Sequence, residues 1–98
     1  MDSQAELNEV ILGVDTHLDA HVGVVLNHVG KVLGMLVTPT NQAGHATLLN
    51  WVRAFGNVQC AGVEGTGTYG AGLTRVLREQ GIEVWGVNRP DRSTRRLQ

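Results

Sequence analysis

The run EVILGVD at residues 9–15 and the run VQCAGVE at residues 58–64 decide how this chain is read. Each is a short, nearly continuous apolar stretch of the kind that forms a buried central strand, and each ends on a carboxylate, Asp15 or Glu64. After the first run and a polar turn at 16–20 come HVGVVL at 21–26, the turn NHVG at 27–30 and KVLGMLVT at 31–38. Together they read as a three-stranded antiparallel meander. Pro39 and Asn41 punctuate the chain. Leu48, Leu49, Val52 and Phe55 then recur at helical spacing and Gly56 supplies a stop, so a helix is expected over 42–55. The second carboxylate run leads into GTGTYG at 65–70 and a second helix, ending at Gln80 before Gly81, with an inward stripe of Leu73, Val76 and Leu77. A strand at 82–87 closes the pattern. The order βββαβαβ predicts an α/β fold with a five-stranded mixed sheet, its last two strands brought parallel to the first by right-handed crossovers.

Ninety-eight residues suffice for one domain with one core. A 42% hydrophobic and 17% charged composition is that of a chain that folds in water. No apolar run reaches the roughly 18–20 residues that cross a bilayer, and the acidic start MDSQAELNE lacks the positive charge of a signal peptide, which points to the cytoplasm. The single cysteine, Cys60, makes no internal disulfide and no zinc-type Cys/His spacing is present. The net charge of −1 conceals an asymmetry, with +3 in residues 88–98 and −4 in residues 1–87. Arg89, Arg92, Arg95 and Arg96 supply the basic end, as a nucleic-acid-binding segment or a solvated terminus would. The expected organisation is a flexible start at 1–8, a folded domain at 9–87, and an Arg-rich segment at 88–98. In that segment Pro90 opens a helix that stops in mid-pattern, as in a piece of a longer protein.

Asp15 and Glu64 carry the most chemistry. If their strands are neighbours, two carboxylates converge on an apolar sheet, where they repel and lose solvation, and a hard divalent cation such as Mg²⁺ or Mn²⁺ resolves both. The plainer alternative is a turn-capping Asp15 and a solvated Glu64. His17 and His21 stand four apart, but Leu18 occupies the place of the glutamate in a helical zinc-hydrolase motif. His28 and His45 read as surface or loop residues, and His17 as a neighbour of Asp15. The Gly65-x-Gly67-x-x-Gly70 spacing matches a dinucleotide fingerprint, yet Glu64 would set a negative charge beside a pyrophosphate. The simpler reading is a tight strand-to-helix turn with Thr66 or Thr68 capping the helix and Tyr69 packing or edging a substrate groove. Trp51 and Trp85 read as packing residues, and Cys60 as a small buried side chain.

Three strings together, GVDTH at 13–17, GVEGTGTYG at 62–70 and VNRPDR at 87–92, resemble one family along nearly the whole chain, residues 10–96. They are similar to the N-terminal catalytic domain of the insertion-sequence-110 family of DEDD transposases, relatives of the Piv DNA invertase. The resemblance implies a RuvC-like, ribonuclease H type fold and Mg²⁺-dependent cleavage and rejoining of DNA strands. Of the family's four acidic ligands, the first matches Asp15 and the second Glu64. The last pair belongs to a Ser-Asp-x-x-Asp type stretch downstream of the Arg-rich segment. Many members carry a lysine two or three residues after the first aspartate, where this chain has Leu18 and Asp19. The family's second domain, with its serine nucleophile, has no counterpart here. The resemblance further implies DNA and a structured guide RNA as partners, homo-oligomers, a bacterial nucleoid-associated location, no membrane, and phosphate contacts from Arg89, Arg92, Arg95 and Arg96. With two of four ligands, this chain by itself is expected to bind divalent cation weakly and to cut nothing. Two other classes stay open: a nucleotide-binding phosphotransferase domain of the actin and sugar-kinase architecture, and a non-enzymatic interaction module.

Overall fold

The computed structural model describes residues 8–87. The elements follow the expected order: β1 Glu9–Thr16, β2 Ala20–Leu26, β3 Val32–Pro39, α1 Gln42–Arg53, β4 Asn57–Glu64, α2 Ala71–Glu79 and β5 Glu83–Val87. They form one five-stranded sheet in the order β3-β2-β1-β4-β5. The β1–β2 and β2–β3 pairs are antiparallel, and β4 runs parallel to both β1 and β5. A meander extended on one side by two parallel crossover strands is the ribonuclease H-like arrangement, as expected. Asn8, assigned above to a flexible start, already belongs to the fold, because its carbonyl accepts the Asn57 N–H at 2.9 Å. The rest of that start and the helix expected after Pro90 lie outside the described residues.

The strands are apolar on both faces, but only one face is covered by helices. Val10, Leu12 and Val14 of β1 and Ala61 and Val63 of β4 point into the core, where they meet Leu48 and Val52 of α1 and Leu73 and Leu77 of α2. Gly23 lies close under α1: a Cβ there would stand 2.5 Å from Leu48 Cδ1, and the end of that leucine would have to shift to admit it. Asn41 starts α1 as expected of its type, its Oδ1 accepting the Gly44 N–H at 2.7 Å. The opposite face exposes Met35, Val37 and Trp85, at 64%, 60% and 60%. Trp85 is therefore not the packing residue expected of it: it sits on the outer strand β5, on the face without helices. Trp51 does pack, edge-on to Phe55 at 5.2 Å.

One irregularity sets the register that matters. Val10 pairs with Val58, but Ile11 pairs with Cys60, so Gln59 is passed over. From there the two strands advance together through Leu12 with Ala61, Gly13 with Gly62 and Val14 with Val63. Without the slip, Asp15 would stand level with Val63; with it, Asp15 stands level with Glu64, on the same face.

Candidate metal and nucleic-acid site

Asp15 is the penultimate residue of β1 and Glu64 the last of β4, one step beyond the final Val14–Val63 pair. Alternation turns both away from the core, toward the face that carries no helix. Both line one cleft of about 510 Å³, whose other walls include Ile11, Val22, Val24 and Val87. The structure thus brings together the two residues singled out in the sequence. Asp15 differs in one respect from the expectation. It lies within the strand, and Thr16 follows it with its side chain turned inward, 6% exposed.

Thr16 is the residue that sequence reasoning missed. Its hydroxyl donates to the Glu64 carbonyl at 2.8 Å, across 48 positions of chain, and so ties the ends of the two carboxylate strands together. The signal was available, since Val10, Leu12, Val14 and Thr16 alternate inward once β1 is extended by one residue. On the outer side His17 Nε2 lies 3.2 Å from Asp15 Oδ2, with both side chains about half exposed, so this is a solvated contact beside the site. His21 points the other way, into the core. His17 and His21 therefore form no zinc pair.

The turn after Glu64 is built on Gly65, whose φ of +62° is left-handed, and Gly65 accepts hydrogen bonds at its carbonyl from the Thr68 N–H and the Gly70 N–H at 2.9 and 2.8 Å. Thr68 Oγ1 also donates to that carbonyl at 3.3 Å. Neither Thr66 nor Thr68 caps α2, contrary to expectation. The N-cap is Gly70, which has no side chain to offer, and Thr66 and Thr68 stand four and two residues before it, within the turn. Tyr69, half exposed, edges a second pocket of about 270 Å³ together with Thr16, His17 and Glu64. Cys60 is half-buried on the uncovered face rather than fully buried, and His45, read as a surface residue, is buried at 7% exposure.

Among the described residues no group of three or more His, Cys, Asp or Glu side chains is placed to hold a metal ion. Two level carboxylates fit the protein share of a Mg²⁺ or Mn²⁺ site, which takes hard oxygen donors and completes its shell with water and phosphate oxygens. Arg89, Arg92, Arg95 and Arg96 lie outside the described residues. The chain resumes from Val87, which pairs with Glu64 and lines both pockets. No helix among the described residues is long and apolar enough to cross a membrane.

A ribonuclease H-like sheet with two acidic residues level on its central parallel strands places the chain in the ribonuclease H-like class of folds. Within that class, a family model described as a transposase, of the DEDD insertion-sequence-110 type, matches residues 12–97. The chain belongs to this family. It is a DNA transposase domain, and DNA is its partner; the nucleotide-binding phosphotransferase reading is thereby set aside. No curated protein matches the chain.

Proposed function

We propose that residues 9–87 are the first part of a RuvC-like catalytic domain and that Asp15 and Glu64 contribute half of a two-metal centre for DNA strand cleavage and rejoining. The observation that carries this reading is the register of β1 and β4, which sets two carboxylates level at the ends of neighbouring parallel strands in a chain of a DEDD family. Mg²⁺ or Mn²⁺ held there would stabilise charge on the attacking and leaving oxygens of a phosphodiester displacement. The chain's own residues fix the carboxylates in place. Thr16 ties the strand ends. The remaining two acids of the family's four come from a downstream Ser-Asp-x-x-Asp type stretch. The attacking oxygen belongs to water, DNA or a serine of the second domain.

Arg89, Arg92, Arg95 and Arg96 follow directly after Val87, and we assign them to phosphate contacts with DNA or with a structured guide RNA. The working protein is a homo-oligomer in this reading. The test is a strand-cleavage and transposition assay of the complete transposase carrying Asp15→Asn or Glu64→Gln. Loss of cleavage with DNA binding retained is expected. Cleavage at the unaltered rate in both variants would leave an interaction module as the better reading.

A further inference from the structure

On the covered side of the sheet, His21 of β2 and His45 of α1 lie ring against ring, with centroids 5.5 Å apart and planes within 7° of parallel. His21 is fully buried and His45 nearly so, at 0% and 7% exposure. Neither ring nitrogen of His21, nor Nε2 of His45, has a hydrogen-bond partner among the described residues. The Ala20 carbonyl pulls the His21 pKa upward without reaching hydrogen-bond geometry. Thr38 is the ladder neighbour of His21 on β3, and its hydroxyl is buried without a partner as well. Gly72 of α2 completes the enclosure: a Cβ there would stand 3.0 Å from His45 Cε1.

A neutral imidazole tolerates such a place because it can stack as a flat apolar ring. An imidazolium does not, since its charge would be stripped of water with no carboxylate to meet it. Burial is the largest influence on both rings and favours the neutral form. The charged and titratable groups around them act in the same direction. The Arg75 guanidinium of α2 acts on His45, and the charges of His45 and, more weakly, of His17 in the turn after β1 act on His21. Among the described residues, no carboxylate acts on either ring.

We infer that the His21–His45 stack is a pH-sensitive latch that holds the first turn of α1 against β2, closed while both rings are neutral and opened by a proton on either. Its position gives it leverage. His21 is the ladder partner of Thr16, whose hydroxyl ties the two carboxylate strands, so opening the latch loosens the sheet behind Asp15 and Glu64. The latch needs neither cation nor DNA.

The unfolded chain takes up protons near pH 6.5, whereas the folded rings take them up only at lower pH. The latch therefore contributes fully above about pH 6.5. Below that, each ring lowers the folding constant by up to about tenfold per pH unit, until its own folded pKa is reached. The test is denaturant unfolding of the 98-residue chain between pH 7.5 and 5, for the native sequence, His21→Phe, His45→Phe and the double variant. Phenylalanine keeps a flat ring in the stack and removes the proton site. The native chain is expected to lose stability steeply below pH 6.5, the single variants less steeply, and the double variant least. Equal pH slopes in the native and double-variant chains would overturn the latch. Should the double variant not fold, imidazole NMR of the native chain decides: folded-state titration of His21 and His45 below 6.5 supports the latch, and titration at or above 6.5 overturns it.

Discussion

Replacing Thr16 with valine tests how the carboxylate pair is held. Valine keeps the branched shape and volume and deletes one oxygen, so the substitution isolates the 2.8 Å bond to the Glu64 carbonyl. Thr16 is only 6% exposed, and water does not readily replace the lost bond. Losing a buried hydrogen bond of this kind destabilises by about 1–2 kcal/mol, less the few tenths regained from an added buried methyl. In a domain of this size 1 kcal/mol moves Tm by about 4–8 °C, so a fall of about 5–10 °C is expected in thermal unfolding followed by circular dichroism. Thr47→Val is the control. Thr47 Oγ1 donates to the Ala43 carbonyl within α1 on an exposed face, and its loss should move Tm by about 2 °C or less. The divalent-cation affinity of Thr16→Val should fall as well, because the two strand ends are no longer fixed relative to each other. A Tm for Thr16→Val no lower than that of Thr47→Val, with unchanged cation affinity, would refute the tie.

Other consequences are as direct. Leu48→Ala removes a fully buried side chain packed over Gly23 and should destabilise by about 3 kcal/mol in denaturant titration, visible as a lower midpoint at constant slope. Gly65→Ala places a Cβ 2.7 Å from Thr68 Oγ1 and 3.1 Å from Thr16 Oγ1 at a φ of +62°, and should cost about 1–2 kcal/mol while weakening cation binding at Glu64. Changing Arg89, Arg92, Arg95 and Arg96 together to alanine should weaken DNA binding by the complete transposase. The slope of log affinity against log salt should fall by about 0.9 for each duplex phosphate that the arginines no longer neutralise, measured by fluorescence anisotropy across a salt series.

The order of elements and the two carboxylate strands were legible because apolar runs, turn residues and helical spacing each gave the same answer locally. What escaped the sequence depended on which way a strand faces. The slip at Gln59 cannot be read from VQCAGV, where neither the apolar residues nor the one glutamine marks a bulge, yet it decides that Asp15 meets Glu64 rather than Val63. Trp85 looked like core because tryptophan usually is, but the core covers one face of the sheet and position 85 alternates to the other. His45 could have been placed: it precedes Leu48, Leu49 and Val52 by three, four and seven residues, the helical spacing of a single face. Composition argued for the surface, and periodicity, the stronger physical constraint, argued for the core. The helix cap was assigned to a threonine, but α2 begins later than the sequence suggested, with Gly70 at the cap position.

The central claim is that Asp15 and Glu64 share a divalent cation, and paramagnetic broadening by Mn²⁺ tests it most directly. In amide NMR of the 98-residue chain, substoichiometric Mn²⁺ should erase signals around residues 14–16 and 63–65 first. Asp15→Asn or Glu64→Gln should restore them at the same Mn²⁺ concentration. Broadening centred on other acidic residues such as Glu79 and Glu83, or unchanged in both variants, would contradict the shared site.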